Sequence, residues 1–497
     1  MSTVIVTGYK AAEPLVPGER ISSEMNKSGN AKSQMAFRLF RATALGDEGP
    51  FFISSLPKTL AAGCLCGFNF SKKKGVFCMS NSTNSTARGG SMPAFARVGF
   101  MGVFAVASVL FSSHAGGGFA TGNQATQYYA RFGWTAPFAA VLAMALLSLT
   151  IREAILMTSS RGLKNHKELF EALYHPFDKL ELLFELYFNI MVICAVGAVI
   201  AGSASLMQKI GGMPYIAAVL MVGVVLMTMT IFGAKLVSRA STIMSVAILV
   251  CCGIIFIMGI GAKLPEISAV FTNFTSAEGM NPVQPILNAF IYAGFQSVVI
   301  PTMIACGRPL QNKKNISRAM TIAFVMNAVA LALSCIMLIG WYADFTAAGE
   351  TTLPSWYICS QLGIPGLYWV YNITLLLCFI STGVTTVYGF VSRFEGSKIF
   401  SRIQKPTLRR AVVSCLSMVM SMGVSLVGLD KIIKYGYGYC GYLGIAIIIV
   451  PFLTVGVYKN RKYLKAHPEY VGQSAKEARQ ESIPAPAPTT QPAFAED

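Results

Sequence analysis

The sequence predicts an all-α membrane protein with ten transmembrane helices, arranged as a five-plus-five inverted repeat in which helices 1 and 6 are broken. Three observations lead to this fold class. The 497 residues are 54% hydrophobic and only 12% charged, whereas an ordinary soluble chain carries about 25% charge. Apolar stretches of roughly 20 residues, the length that crosses a bilayer, recur along the chain. Glycine and proline interrupt two of these stretches at corresponding positions in the two halves.

Ten candidate spans follow one another along the chain. They lie near residues 95–130, 134–157, 181–208, 213–232, 240–262, 285–306, 317–341, 366–391, 411–428 and 435–457. The first stretch is too long for one helix, because about 20 residues suffice to cross the hydrocarbon core. We therefore expect two half-helices within it.

The break in span one is predicted at Gly116, Gly117 and Gly118. Each glycine costs roughly 1 kcal/mol in a helix relative to alanine. In a bilayer, backbone groups that leave a helix find no water, so such a break persists only where it lines a cavity. Its free N–H and C=O groups then serve as ligands. The break predicts that a small polar solute or an ion is held within the membrane.

Span six carries interruptions of its own. They are Asn281, Pro282, Pro285, Gly294, Pro301 and Gly307. Broken helices at corresponding positions of two halves indicate the binding site of a secondary transporter. Because each half has an odd number of spans, the second half must run through the membrane in the opposite direction.

The charges predict the topology. The formal net charge is +18, and such an excess can indicate nucleic-acid binding. Here, however, the basic residues lie in short loops between spans, as the positive-inside rule requires. If the N-terminus is cytoplasmic, the outward loops hold only Arg131, Lys209, Lys263, Lys431 and Lys434, and the other lysines and arginines that follow span one face inward. We expect two cytoplasmic termini, a lipid bilayer and a small-molecule substrate as partners, and no nucleic acid; the oligomeric state stays open.

The chain outside the spans differs in composition. Residues 1–93 are expected to be a disordered extension or upstream sequence, with Met79 as the expected true start. Residues 94–458 form the predicted ten-helix core. Residues 459–497 are expected to be a disordered cytoplasmic tail, because the tail is rich in alanine, proline and glutamine.

Three stretches resemble the YkvI-like family of bacterial membrane proteins. They are Gly116-Gly117-Gly118-Phe119-Ala120-Thr121-Gly122-Asn123-Gln124, Ser381-Thr382-Gly383-Val384 with Gly389 and Arg393, and Gly436-Tyr437-Gly438-Tyr439 with Gly441-Tyr442. The resemblance covers roughly residues 94–458 and implies the LeuT-type fold of the amino acid–polyamine–organocation superfamily. One position departs from the family signature: the usual acidic residue is Ala125 here, so no carboxylate acts there.

The resemblance also implies a sodium ion as the coupling ion, with no other cofactor. Carried over by position, the sodium ligands are the carbonyls of Ser112 and Ala115 and the hydroxyls of Ser381 and Thr382. Such a carbonyl–hydroxyl cage suits a hard monovalent cation. Thr385 and Thr386, one turn on, are a competing pair, and each hydroxyl could instead bond to its own backbone.

The substrate is expected beside that ion. The predicted substrate-binding residues are Gly116, Gly117, Gly118, Phe119, Thr121, Tyr292, Phe295, Gln296 and Ser297. The N-terminus of the second half-helix of span one would present N–H groups to a carboxylate. Phe119 and Phe295 have packing as their alternative role, whereas the Gln296 amide at mid-membrane needs a partner.

Three ionisable residues lie in or beside the spans. His114 directly precedes the break and could carry a coupling proton, or it could hydrogen-bond to neighbouring backbone. Glu185 lies about 8 Å inside span three at 1.5 Å per residue, from where it could reach the cytoplasmic edge. Arg308 closes span six and is interpreted as a topology charge.

The sequence and the resemblance together predict a secondary transporter that moves a small amino-acid-like solute with sodium across a bacterial inner membrane by alternating access. One alternative is a proton-coupled transporter that uses His114. Another is a membrane sensor or assembly factor that keeps the fold without transporting. An enzyme is not expected, because the sequence has no nucleotide-binding loop, no metal-ligand cluster and no paired catalytic carboxylates in the apolar core.

The topology can be tested with a reporter enzyme that is active only in the periplasm. Fused after residue 466, it should be inactive, because the charge bias keeps the C-terminus in the cytoplasm. Fused after Gly349, in the loop between spans seven and eight, it should be active. Activity after residue 466 would contradict the ten-span topology.

Overall fold

The computed structural model describes residues 99–277, 279, 283–394, 403 and 405–471. The predicted extension at residues 1–93, Met79, the dipeptide Asn281-Pro282 and the tail beyond residue 471 lie outside these ranges. The α-helices, in chain order, are Phe100–His114, Gly117–Ala120, Asn123–Tyr128, Ala136–Arg161, His166–Tyr174, Glu181–Gly211, Tyr215–Thr228, Ala234–Ala262, Leu264–Thr272, Val283–Gln296, Ile300–Gly307, Lys313–Gly340, Tyr342–Ala347, Pro354–Gln361, Pro365–Phe394, Pro406–Ser425, Leu429–Lys431, Gly438–Gly444 and Val457–Ala466. Short 3-10 turns (Ala130–Thr135, Asp178–Leu180, Ser297–Val299 and Pro468–Tyr470) and π-helical segments (Met229–Gly233, Ile432–Tyr437, Ile445–Ile449 and Phe452–Gly456) join or extend them.

The described residues contain eight helices that are long and apolar enough to cross a membrane. The pair Ala247–Ala262 and Leu264–Thr272, bent by 73°, would make a ninth if it is one span. Phe100–His114 is a shorter apolar helix of 15 residues. The protein is therefore a multi-span membrane protein, while the count of ten and the inverted repeat stay predictions. We keep the numbering of the ten predicted spans for their segments.

The predicted break in span one is confirmed. The helix Phe100–His114 ends at Ala115, and Gly116 is extended, with ψ −174°. The second half is not one half-helix: it consists of Gly117–Ala120 and Asn123–Tyr128, separated by Gly122 with φ +77°. Only glycine fits there, since a side chain would be strained at that φ and its Cβ would lie 2.5 Å from Ser355 Oγ.

Span six is interrupted by one tight turn and is not unwound. Its helices Val283–Gln296 and Ile300–Gly307 are joined by the 3-10 turn Ser297–Val299. The change of helix type alters the hydrogen bonding of the preceding carbonyls. The Tyr187 hydroxyl of span three lies 2.7 Å from the Gly294 carbonyl oxygen and 2.8 Å from that of Phe295. Span three thus holds span six at its interruption.

Contacts between loops group the span ends into two sets. In one set, the backbone N–H of Trp134 donates to the Thr275 carbonyl at 3.4 Å. This bond joins the loop after span one to the loop after span five. Lys263 pairs with Asp344 at 3.1 Å and so joins the loops after spans five and seven. These are the loops that the charge pattern places on the outward side.

The second set joins the loops predicted to face inward. Arg308 donates to the Lys164 carbonyl, which joins the loop after span six to the loop after span two. His166 and Glu185 pair at 2.6 Å, so Glu185 does meet a partner at the span-three edge. Lys459 Nζ donates to the Leu173 carbonyl at 3.0 Å. The alternation of the two sets agrees with the order of the predicted spans.

The helix of span ten continues to Ala466, into the stretch predicted to be a disordered tail. Its polar residues explain the difference. Asn460 is buried and donates to Glu153 Oε2 at 2.8 Å and to the Glu153 carbonyl at 3.0 Å. Arg161 donates to Asn460 Oδ1 at 2.8 Å. Three hydrogen bonds to span two therefore extend the helix beyond the membrane-spanning stretch.

Spans six and ten approach each other through glycines. A Cβ at Gly294 would overlap the Gly441 carbonyl, and a Cβ at Gly444 would overlap the Gly294 carbonyl. A Cβ at Gly441 would lie 2.5 Å from the Ile291 carbonyl oxygen. Small residues allow this close backbone packing in membranes.

Replacing Gly441 by alanine should lower the melting temperature of the purified protein. The new methyl group would meet backbone atoms that cannot move aside, and overpacking costs typically about 1–3 kcal/mol. Gly253→Ala is the matched control, because a Cβ at Gly253 meets nothing within 4 Å. It should leave the melting temperature unchanged or raise it slightly. Equal melting curves for the two variants would refute the close approach.

Candidate functional site

His114 connects the break of span one to span six. Its Nε2 lies 2.8 Å from the Tyr292 hydroxyl, which lies 3.1 Å from Gln124 Oε1. The amide oxygen only accepts, so the single phenolic proton is donated to Gln124 and the imidazole N–H is donated to Tyr292. His114 and Tyr292 are both buried. The expectation that His114 bonds to neighbouring backbone is therefore wrong, since its partner comes from span six.

The glycine run packs against its own neighbours on the chain. A Cβ at Gly118 would lie 2.5 Å from Gln124 Nε2. The Thr121 hydroxyl donates to the Gly118 carbonyl at 2.9 Å. Because Gly117–Ala120 has only four residues, few peptide dipoles align. The dipole at its N-terminus therefore attracts a carboxylate only weakly.

Span eight brings one predicted sodium ligand to the break. A Cβ at Gly116 would lie 3.5 Å from Thr382 Oγ1, so this hydroxyl faces the extended residue between the two parts of span one. Ser381, which precedes Thr382, and Ala115, which precedes Gly116, are both buried, with 3% exposure each. The Ser112 side chain is exposed and donates to the Val109 carbonyl at 3.1 Å, which leaves only its carbonyl as a candidate ligand.

The last helical carbonyls before the break are those of Phe111 to His114, and the Phe111 carbonyl still accepts the Ala115 N–H at 2.8 Å. An α-helix leaves its final four C=O groups without an intrahelical N–H, and in Phe100–His114 these belong to the turn that includes Ser112. The Thr382 hydroxyl lies beside Gly116, two residues after the end of this helix. Together the hydroxyl and these carbonyls could supply oxygen ligands to a cation without a fixed negative charge.

The competing pair on span eight is used differently. The Thr385 hydroxyl lies 2.8 Å from the Ser381 carbonyl and 3.1 Å from that of Thr382. This is the ordinary backbone bond of a threonine in a membrane helix. Thr386 is half-buried. Thr385 is therefore a control position for the predicted ligands.

The predicted substrate residues of span six have mostly packing contacts. The Phe295 ring packs against the rings of Tyr128 and Tyr437, with centroids 5.2 and 5.1 Å away. The Ser297 hydroxyl donates to the Ala293 carbonyl at 2.8 Å. Gln296 is buried. Tyr292 is the member of this group that contacts the break directly.

On the other side of the break, the Phe119 ring also packs among aromatic groups. Its centroid lies 5.3 Å from that of His114 and 6.1 Å from that of Phe256 in span five. Phe119 is buried. The packing role considered for this residue is therefore the one that its surroundings favour.

Residues outside the motifs complete the surroundings of the break. The Tyr371 hydroxyl of span eight donates to the Ala120 carbonyl at 2.8 Å, and the Cys252 thiol lies 4.0 Å from the same oxygen. Sequence reasoning missed both. A signal was present for Tyr371, because a buried tyrosine hydroxyl in an apolar span needs a partner. The sequence did not show that this partner would be in span one.

Asp430 joins three segments at the end of the site that the charge pattern places outward. The Asn123 amide donates to its carboxylate, to the Thr351 carbonyl at 3.2 Å and to the Thr352 carbonyl at 3.0 Å. The hydroxyls of Thr352 and Thr351 also donate to this carboxylate, at 2.8 and 3.3 Å. We call these four residues the outer tie. It joins span one, the loop before span eight and span ten.

The loop before span eight also contacts the break through its backbone. The Ser355 N–H donates to the Thr121 carbonyl at 3.0 Å. A free carbonyl at the bend around Gly122 is thus bonded to the first turn of the helix Pro354–Gln361. The outward part of span one is held by side chains and backbone together.

Known structures support the fold. The structure is similar to that of a Na⁺-coupled sialic acid symporter in a substrate-bound, outward-open state, with a TM-score of 0.50 and 13% identity over 71% of this chain and 90% of that chain. It is also similar to that of MhsT in complex with L-phenylalanine, with a TM-score of 0.51 and 16% identity over 73% of this chain and 92% of that chain.

These likenesses show a fold of the LeuT type. The first neighbour is described as a symporter, and neither is described as an enzyme. At such low identity the likeness carries the fold alone. No protein-family model matches the sequence, and no curated protein matches it either. The resemblance to the YkvI-like family therefore stays a prediction.

The outer tie can be tested by labelling Cys252 in a background where it is the single cysteine. Asp430→Ala removes the acceptor of several hydrogen bonds, and bonds to a charged group contribute about 1.5–3 kcal/mol each. The variant should therefore react at least about tenfold faster with a membrane-impermeant maleimide added from outside.

Glu350→Gln is the control for the outer tie. It breaks the ion pair of Glu350 with Lys209, which joins the loops after spans three and seven on the same side of the protein. Its labelling rate should stay at the wild-type value. An equal increase in both variants, or none in Asp430→Ala, would show that Asp430 does not close the site.

Proposed function

We propose that the protein is a secondary transporter that moves a small, amino-acid-like organic solute together with sodium by alternating access. The observation that supports this most is the Thr382 hydroxyl, which faces the break of span one at Gly116. It brings a span-eight oxygen next to the extended residue that separates the two parts of span one. The LeuT-type fold supports the same conclusion.

Sodium suits this arrangement chemically. A hard monovalent cation prefers oxygen ligands, and a cage of carbonyls and hydroxyls provides them. The proposed ligands are the carbonyls of Ser112 and Ala115 and the hydroxyls of Ser381 and Thr382. One structural neighbour is described as Na⁺-coupled, which adds support for the ion.

An amino-acid-like solute is supported by the resemblance in sequence and by the neighbours. One of them is described with L-phenylalanine and the other as a sialic acid symporter, and both solutes are carboxylates. In this protein the solute would lie at the break of span one, across from Tyr292. The short helix Gly117–Ala120 gives a weak dipole, so backbone N–H groups and side chains would share the recognition.

Alternating access requires that the two ends of the site open in turn. The outer tie around Asp430 holds the outward end. At the other end, Arg308 and Lys459 bond to carbonyls of the loop between spans two and three. We propose that rocking of spans one and six against the remaining helices exchanges these contacts. The basic loops favour cytoplasmic termini in a bacterial inner membrane.

The sodium proposal is tested by replacing Ser381 and Thr382 together with alanine. Losing two ligands of a charged group, at about 1.5–3 kcal/mol each, should weaken sodium binding by roughly two to four decades. The measurement is the rise in melting temperature of the purified protein when sodium chloride replaces potassium chloride. The variant should fold, because small residues are well tolerated at helix contacts.

Thr385 and Thr386 replaced in the same way provide the control. Thr385 bonds to its own backbone, so this variant should keep the sodium response. If only the control pair abolishes the response, the proposed ligands are wrong by one turn. If neither pair matters and His114→Ala eliminates pH-driven uptake, a proton replaces sodium. Absence of any response to sodium or to solutes would favour the sensor hypothesis.

A further inference from the structure

The Phe379 ring lies in a slot formed by two glycines of other spans. A Cβ at Gly117, in span one, would overlap the ring. A Cβ at Gly202, in span three, would lie 2.5 Å from its Cζ atom. Phe379 itself is only 1% exposed. Any side chain at either glycine would therefore push the ring out, so the three residues are matched in size.

The slot adjoins the site proposed above. Gly117 is one of the predicted substrate-binding residues and directly follows the extended Gly116. Phe379 lies three residues before Thr382 on the same helix, about one turn. A solute held at the break would have the sodium ligands on one side and the Phe379 ring as the adjacent wall.

Uncharged groups contact the short helix Gly117–Ala120, which forms one side of this slot. The Tyr371 hydroxyl and the Cys252 thiol approach the Ala120 carbonyl, and the rings of Phe119 and Phe256 meet edge to face. A charged side group placed here would lose its hydration without gaining an ionic partner. An uncharged side group would fit.

From these contacts we propose that Phe379 is a specificity-determining residue that limits the side group of the solute to a small, uncharged one. The ring occupies the space that a larger side group would need, between the break and span three. The inference rests on the proposed transport function and names the solute class for the same site. It differs from a packing role, because truncating the ring should change which solutes bind and not only the stability.

The physical consequence of truncation is a cavity beside the break. An apolar cavity the size of a phenyl ring stays dry and accepts apolar ligands of matching size. Phe379→Ala should therefore admit the larger side groups that the wild-type ring excludes. Each additional buried CH₂ group should then improve binding roughly fourfold.

The test uses the purified full chain and four amino acids that differ only in their side chains: glycine, L-alanine, L-leucine and L-phenylalanine. The readout is the sodium-dependent shift in melting temperature over a concentration series of each. We expect the wild type to respond to glycine and L-alanine. Phe379→Ala should respond to L-leucine and L-phenylalanine, with half-saturation at least about tenfold below that of the wild type.

Two variants serve as controls. Phe390→Ala truncates another buried ring of span eight and should keep the wild-type size profile. If truncation acted only by loosening the helix, this variant would change the profile as well. Phe379→Leu retains most of the packing and should give an intermediate size profile. It replaces the alanine variant in the test if that variant does not fold.

Several outcomes would overturn the inference. One is the same size profile in the wild type and the Phe379 variants, and another is an equal change in Phe390→Ala. A wild type that ignores all four amino acids would overturn it as well. The proposed function is tested separately with sodium alone. It fails if the melting temperature of the wild type does not respond to sodium in the absence of any solute.

Discussion

A bilayer offers no water to backbone groups, and the rest of this structure depends on that constraint. Where span one leaves its helix, its carbonyls must be satisfied by protein or by a bound ligand. The Tyr371 hydroxyl donates to the Ala120 carbonyl, and the Ser355 N–H donates to the Thr121 carbonyl. The Thr382 hydroxyl of span eight lies beside Gly116, within the break itself. This is the part of the break where we propose the cation.

The same constraint explains the pairing of glycines with aromatic groups. Glycines let the backbone bend at the break and let spans six and ten touch. Beside Gly117 and Gly202 the missing side chains leave space that the Phe379 ring fills. The Tyr187 hydroxyl instead donates to backbone, at the carbonyls of Gly294 and Phe295. The Tyr187 contact holds span six at its 3-10 turn, and the Phe379 contact fixes the volume beside the break of span one.

The sequence predicted what depends on local composition. Three glycines in an apolar stretch predicted the break, and the spacing of apolar stretches predicted the spans. It did not predict that Gly122 would divide the second half of span one, because a positive φ at one glycine is set by the Ser355 backbone and side chain far along the chain. The pairings of His114 with Tyr292 and of Asn123 with Asp430 were equally inaccessible. Helical periodicity places a residue on a face, and only the packed fold decides what that face meets.

The two ends of the bundle are closed by different chemistry, and this difference bears on the proposed cycle. The outer tie converges on one carboxylate, which accepts from a span-one amide and from two loop hydroxyls. The inner contacts are distributed, since Arg308 and Lys459 donate to separate backbone carbonyls of one loop. A converging tie is released when its single acceptor is lost. The distributed inner contacts break only when the whole loop moves. Inward opening should therefore involve the loop helix His166–Tyr174 as a rigid body.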